Sequence, residues 1–274
     1  MARLTAADFD QELLILFDAY VHGDIDRRGF LDRAAKFAVG GLTAAGLLAA
    51  LSPDFAIAQV VPQGDPRIST QRVELASPSG SGTVKAYVAK PAGAAGQLPG
   101  VLVVHENRGL NPHIEDIARR LAVDGYLAMA PDALTPLGGD PGDEDKARAL
   151  FAQLDQGKTR QDFIAAAGAL KGRPDCSGRI GVVGFCYGGG VAHHLSTQLP
   201  DLGAAVPFYG NHPPAEDAAK VKSPLLIHFA GIDERINAAW PTYEAALKAA
   251  GVRYLAHQYP GTQHGFNNDT TPRF

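Results

Sequence analysis

The sequence predicts a doubly wound α/β domain whose sheet is mostly parallel, with an antiparallel edge at its N-terminal end. Short, uniformly apolar runs, which are typical of strands covered on both faces, alternate with amphipathic helical stretches. Ahead of them, a turn-rich segment joins two further strand-like runs. The 274 residues, 46% hydrophobic and 20% charged, are enough to bury one large core.

The elements follow one another in a regular order. Residues 72–76 and 83–89 flank a Ser/Gly/Pro-rich turn and are predicted to form the antiparallel hairpin. The remaining strands are predicted at 100–104, 127–130, 179–184, 204–208, 225–230 and 254–259, and the helices at 112–124, 159–171, 188–199 and 238–250. In such a sheet, ligands bind at the carboxyl ends of the strands.

Charge and cysteine content exclude several classes of partner. The net charge is -4 and no long Lys/Arg block occurs, so nucleic acid is not expected as a partner. The two cysteines, Cys176 and Cys186, are too few for a disulfide framework or a four-cysteine zinc site. We expect no metal and no cofactor.

The first 58 residues resemble a twin-arginine export signal. Arg27 and Arg28 precede an uncharged apolar run at 37–51, and a small-x-small pattern ends at Ala58, just before Gln59. As a helix the run would span about 22 Å, which is short of the ~30 Å hydrocarbon core, so no stable membrane span is expected. The alternative interpretation is that the arginine pair occurs by chance and that the apolar run is a buried helix of the fold.

This resemblance divides the chain into a signal segment, 1–58, and a mature domain, 59–274. It implies that the twin-arginine export machinery is a partner. The mature domain is then expected outside the cytoplasm, in the bacterial periplasm.

A candidate nucleophile follows the predicted strand 179–184. Gly184-Phe185-Cys186-Tyr187-Gly188 leads directly into a helix and has the spacing of a nucleophile elbow, with Cys in place of Ser. The strained turn requires glycines two residues before and after the nucleophile. A helix N-terminus at Cys186 favours the thiolate. The alternative is a structural Cys in a glycine-rich bend.

Candidates for an acid and a base follow in the order expected after an elbow. Asp233 comes after the strand 225–230, and His264 lies in the loop after the last strand. Glu234 is the rival to Asp233. His212, at the end of the strand 204–208, is a candidate for lining the site.

These motifs, together with His105-Glu106-Asn107-Arg108-Gly109, resemble the dienelactone hydrolase family of carboxymethylenebutenolidase-like α/β hydrolases over about residues 70–270. The resemblance implies an α/β-hydrolase-type fold. It also implies that Glu106 contacts the resting nucleophile and that the backbone N–H groups of Asn107 and Tyr187 form the oxyanion hole. Tyr209 is implied as a residue of the substrate pocket.

The sequence departs from the family in two places. Family members that hydrolyse dienelactone hold its carboxylate with arginines, one of them shortly after the catalytic His, and none occurs here before Arg273. Arg108 or Arg148 is the candidate substitute. The chain also ends ten residues beyond His264, where the fold normally adds a helix, so we expect that C-terminal helix to be missing.

The sequence thus predicts a hydrolase that cleaves an ester or lactone through a Cys186-Asp233-His264 triad and a thioacyl intermediate. Tyr209, His212 and Arg108 are the predicted substrate-binding residues. One alternative is an inactive hydrolase fold that serves as a binding protein. Another is an amidotransferase or peptidase with a Cys elbow, which would want an acid close to its His.

Overall fold

The computed structural model describes residues 4–39 and 42–273, so Gly40 and Gly41 of the predicted apolar run lie outside the described residues. The chain divides into two compact units. The first contains the N-terminal residues to Gln59, together with Ala230–Ile232 and the stretch from Pro260 onward. The second contains Val60–Phe229 and Asp233–Tyr259.

Short helices make up the N-terminal part of the first unit. In chain order they are α1 (Gln11–His22), α2 (Arg27–Ala34), α3 (Ala44–Leu51) and α4 (Phe55–Ala58). Each begins at a side chain that accepts a backbone N–H of its first turn, as Asp10 does for α1 and Asp26 for α2. Gly23, at φ +85°, ends α1 in the left-handed conformation.

These helices enclose a small hydrophobic core of their own. Phe17 and Tyr20 of α1 pack around Phe30 of α2, with ring centroids 5.4–6.1 Å apart. Leu47 and Leu51 of α3 are buried in the same cluster. The predicted apolar run 37–51 therefore contributes a buried helix, α3, to the first unit. Within the parts of the chain described, no helix is long and apolar enough to cross a bilayer.

Eight strands form one sheet within the described ranges. They are β1 (Ile68–Ser77), β2 (Gly82–Pro91), β3 (Leu98–Val104), β4 (Leu127–Pro131), β5 (Cys176–Phe185), β6 (Ala204–Phe208), β7 (Leu225–Ile232) and β8 (Tyr254–Gln263). Their order across the sheet is β1-β2-β4-β3-β5-β6-β7-β8.

The strand pairing confirms the predicted fold class. β1 and β2 are antiparallel, and so are β2 and β4, which gives the antiparallel N-terminal edge. β4, β3, β5, β6 and β7 follow one another across the sheet, and each adjacent pair among these five strands is parallel. Because the chain runs the same way along these central strands, the residues that follow β3, β5 and β6 emerge at one edge of the sheet.

Helices pack against this sheet. They are α5 (Pro112–Val123), α6 (Glu144–Phe151), α7 (Gln156–Lys171), α8 (Tyr187–Gln198), α9 (Glu234–Asn237) and α10 (Trp240–Ala249). Asn111 caps α5 by accepting the N–H of Ile114. The sequence analysis missed α6, whose eight residues make little more than two turns and are too few to establish a helical pattern. Beyond His264 the described chain, to Arg273, forms turns.

Candidate active site

The elbow has the strained geometry that its sequence predicts. Cys186 lies between β5 and α8 with φ +55° and ψ -114°, a conformation that L-residues rarely adopt. Its N–H donates to the carbonyl oxygen of Phe208 (3.0 Å), and its own carbonyl accepts the N–H of Gly189 (3.0 Å). These hydrogen bonds fix the residue at the point where strand turns into helix.

Glycines make this turn sterically possible. A Cβ atom at Gly184 would overlap the carbonyl oxygen of Gly188, and one at Gly188 would overlap that of Val104. A Cβ at Gly189 would lie 2.5 Å from the carbonyl oxygen of Phe208. Glycine is therefore required both two residues before and two residues after Cys186, as predicted.

The start of α8 provides an electropositive environment for Cys186. The first N–H groups of a helix, including that of Tyr187, have no acceptor within the helix and point toward its N-terminal end. They favour a thiolate and can bind a developing oxyanion. Cys186 is half-buried, whereas the other cysteine, Cys176, is only 2% exposed at the start of β5.

His105 fixes the loop that carries Glu106. Its Nδ1 donates to the carbonyl oxygen of Glu106 (2.5 Å), and its Nε2 accepts the N–H of Ala133 (3.1 Å). Burial lowers the pKa of His105, which keeps the ring neutral in this arrangement. Glu106 is itself 5% exposed, so the loop presents a buried carboxylate just beyond β3.

Arg108 is held by an acidic partner that the sequence analysis missed. It forms an ion pair with Glu144 at the start of α6, and its guanidinium donates to Oδ1 of Asn107 (3.3 Å). Burial raises the pKa of Glu144, an effect that the charge of Arg108 opposes. Because α6 is not evident from the sequence, no sequence pattern indicates that Glu144 pairs with Arg108.

Cys186, Tyr187 and His212 line one cavity of about 380 Å³ in the second unit. Burial lowers the pKa of His212 to about 4, so its imidazole is neutral near pH 7. Among the residues that the structure describes, neither of its ring nitrogens has a hydrogen-bond partner, and both nitrogens are buried. Tyr209 precedes His212 at φ +37° and is buried, with its N–H donated to the carbonyl oxygen of His228 (2.8 Å).

The two candidate acids after β7 differ in burial. Asp233 is 7% exposed and caps α9, its Oδ1 accepting the N–H of Ile236 (3.3 Å). Glu234 is exposed to solvent. A buried carboxylate held by its own backbone is the better candidate for orienting an imidazole, because its position is already fixed.

His264 belongs to the first unit, where it is buried against α1. Its Nε2 lies 3.3 Å from Nε2 of His22, the last residue of α1, with the two rings perpendicular. Nδ1 of His22 donates to the carbonyl oxygen of Asp18 (2.8 Å). This contact joins residues 242 positions apart, and the sequence analysis missed it.

Asp18 links the His22–His264 contact to the C-terminal turns of the first unit. Arg273 donates to its Oδ1 (3.1 Å). Burial alone would raise the pKa of Asp18, but the hydrogen bond from His22 and the nearby His264 and Arg273 hold it below its ordinary value. The Nε2 atoms of His22 and His264 are also spaced like two ligands of one tetrahedral metal ion.

Comparison with known proteins supports the family resemblance. The model of the dienelactone hydrolase family matches residues 84–273, and a YqhI-like family model matches residues 1–36. The "Putative hydrolase fragment YghX" of Escherichia coli K12 is 50% identical over 114 residues, covering 42% of this chain and 97% of that protein.

Two further matches cover most of the α/β domain. The "Putative carboxymethylenebutenolidase" of Salmonella typhi is 34% identical over 212 residues, which are 72% of this chain and 78% of that protein. The crystal structure of the "Putative Dienelactone Hydrolase" from Klebsiella pneumoniae superposes with a TM-score of 0.64 at 31% identity, covering 73% of this chain and 90% of that one. This protein is therefore a hydrolase that belongs to the dienelactone hydrolase family.

Proposed function

We propose that the protein hydrolyses a carboxylic ester or lactone through Cys186 as nucleophile, His264 as base and Asp233 as the residue that orients His264. The observation that carries this proposal is the backbone of Cys186, held at φ +55° on the N-terminus of α8. A strained conformation of this kind persists only where the surrounding structure enforces it, and it is common at catalytic sites.

The first half of the reaction forms a thioacyl enzyme. The Cys186 thiolate attacks the carbonyl carbon, an S–C bond forms, and the carbonyl electrons move onto oxygen. The backbone N–H groups of Tyr187 and Asn107 stabilise that oxyanion. When it collapses, the C–O bond to the leaving group breaks, and the His264 imidazolium gives its proton to the departing alkoxide.

Water completes the cycle. His264 takes one proton from the water molecule as its oxygen bonds to the acyl carbon. The S–C bond then breaks and the carboxylic acid leaves, which regenerates the thiolate. Asp233 holds the imidazole in the required orientation throughout. Glu106, buried beyond β3, contacts the nucleophile in the resting enzyme.

We propose that the substrate is uncharged around its acyl group. The two arginines that the sequence offers for a substrate carboxylate already have acidic partners: Arg108 pairs with Glu144, and Arg148 with Asp145 at 2.9 Å. In this arrangement the Arg108 side chain contributes to the loop rather than to an anion site. Tyr209 and the neutral His212 are then the substrate-binding residues, through contact and hydrogen bonding.

We also propose that the arginine pair directs export to the periplasm, with cleavage after Ala58. Arg27 and Arg28 are both exposed on α2, where a receptor of the twin-arginine machinery can reach them. Ala58 ends α4, and Gln59 follows in extended conformation.

The catalytic proposal is tested with aryl esters, lactones and the corresponding aryl amides on wild type, Cys186→Ala and Cys176→Ala. We expect Cys186→Ala to lose all turnover above the uncatalysed rate and the buried-site control Cys176→Ala to keep it. Iodoacetamide should alkylate Cys186 in preference to Cys176 at neutral pH. An inert Cys186 without turnover would favour a binding protein, and turnover confined to amides would favour the amidotransferase or peptidase alternative.

A further inference from the structure

His22 engages the nitrogen that a catalytic imidazole uses. In a nucleophile-His-acid triad, Nδ1 of the His faces the acid and Nε2 exchanges protons with the nucleophile and leaving group. In the first unit, Nε2 of His264 lies 3.3 Å from Nε2 of His22. The rings meet edge to face, with centroids 4.6 Å apart.

The proton positions follow from the partners of His22. A carbonyl oxygen only accepts, so Nδ1 of His22 carries the proton donated to Asp18. If His22 is neutral, its Nε2 is an acceptor, and the contact places a proton on Nε2 of His264. If His22 is charged, its Nε2 donates into the lone pair of His264. In both cases Nε2 of His264 is unavailable as a base.

The N-terminal segment is tied to the residues around His264 at several points of the first unit. Arg273 donates to Asp18 and lies over the ring of Phe17, 5.2 Å from its centroid. The N–H of Asp54 donates to the carbonyl oxygen of Thr270 (2.8 Å). The segment that brings His22 to His264 is therefore held there by polar contacts at Asp18 and at Asp54.

We propose that the N-terminal segment is an intramolecular inhibitor, with His22 masking Nε2 of His264 until the segment is removed. The inference rests on the proposed function, because it requires His264 to be the base. It also gives a role to residues 1–26, which an export signal alone does not require. Cleavage after Ala58 would detach α1 and expose His264.

The full-length chain is assayed on one activated ester, in EDTA so that no metal ion bridges the two imidazoles. His22→Ala removes the masking ring, and His22→Asn replaces it with a shorter polar side chain. Ile15→Ala, on the exposed face of α1, is the matched control. We expect both His22 variants to raise kcat/KM about tenfold or more, since general-base catalysis contributes roughly 10²–10⁴, and the control to match wild type.

Circular dichroism identifies which variants are folded, and Cys186→Ala defines the turnover that depends on the nucleophile. If a folded His22 variant shows Cys186-dependent turnover no higher than that of wild type, the inhibitor proposal is wrong and the catalytic proposal stands. If neither wild type nor the His22 variants show any Cys186-dependent turnover on the ester and lactone panel, the catalytic proposal fails and the inhibitor proposal falls with it.

Discussion

A side chain at Gly184 would overlap the carbonyl oxygen of Gly188, so these two glycines close the elbow around Cys186. The clash is with backbone, which cannot rotate away as a side chain can. We expect Gly184→Ala and Gly188→Ala each to lower the free energy of unfolding by about 3 kcal/mol or more.

The matched control is Gly190, two residues beyond Gly188 in α8. There a Cβ atom would be in ordinary contact, 3.5 Å from the carbonyl oxygen of Asn211. Gly190→Ala should be neutral or stabilise by up to about 1 kcal/mol, because alanine is the better helix former. Urea unfolding of the three variants measures these differences. Equal stability of all three variants would mean that the backbone of the elbow can shift to accommodate a Cβ atom.

The sequence alone predicted the sheet and the elbow because both depend on local patterns. Apolar runs mark β3 to β7, and the glycines around Cys186 report the turn directly. The Arg108–Glu144 pair and the His22–His264 contact join distant segments. A single sequence has no periodicity or spacing that indicates such pairs, and a helix as short as α6 leaves little pattern of its own.

Asp233 rather than Glu234 is expected to orient His264. Asp233→Asn keeps the cap of α9, because Asn also accepts the N–H of Ile236, but it removes the charge that stabilises an imidazolium. We expect it to lower kcat by about 10² or more with little loss of stability. Glu234→Gln, at an exposed position, should change kcat less than about fivefold. The assignment is reversed if Glu234→Gln is the more damaging variant in the same ester assay.

Removing Glu144 should change which substrates are accepted. The Arg108 side chain is 8% exposed, so Glu144→Gln leaves a guanidinium charge without its acidic partner. We expect two effects, a loss of stability of about 1–3 kcal/mol and a relative gain of roughly fivefold or more for an ester whose acyl group carries a carboxylate.

The readout for this change is the ratio of kcat/KM for carboxylated and neutral esters of the same alcohol. Asp145→Asn, which releases Arg148 instead, is the matched control. If the ratio stays constant in Glu144→Gln, Arg108 is not within reach of the acyl group and is not a substrate-binding residue.

Acid should destabilise the fold through His212. Burial lowers its pKa to about 4 in the folded chain, below the ~6.5 of an unfolded one. Between these values the unfolded chain binds a proton that the folded chain does not, so the free energy of unfolding falls as the pH falls through this window. His212→Phe should reduce the loss between pH 7 and pH 5 by about 2 kcal/mol. Urea unfolding of wild type and His212→Phe at both pH values tests this, and an equal loss in the two proteins would show that His212 does not cause it.

Export should depend on the identity of the arginines rather than on their charge. Arg27 and Arg28 are exposed at the start of α2, and the double change Arg27→Lys with Arg28→Lys preserves both charges there. Lysine cannot reproduce the planar, multiply donating guanidinium that a receptor can recognise. We expect mature protein beginning at Gln59 to disappear from the exported fraction while the amount of folded precursor stays the same. N-terminal sequencing and fractionation measure both quantities. Because α2 keeps its charge and its Asp26 cap, normal export of this variant would show that residues 1–58 are something other than a twin-arginine signal.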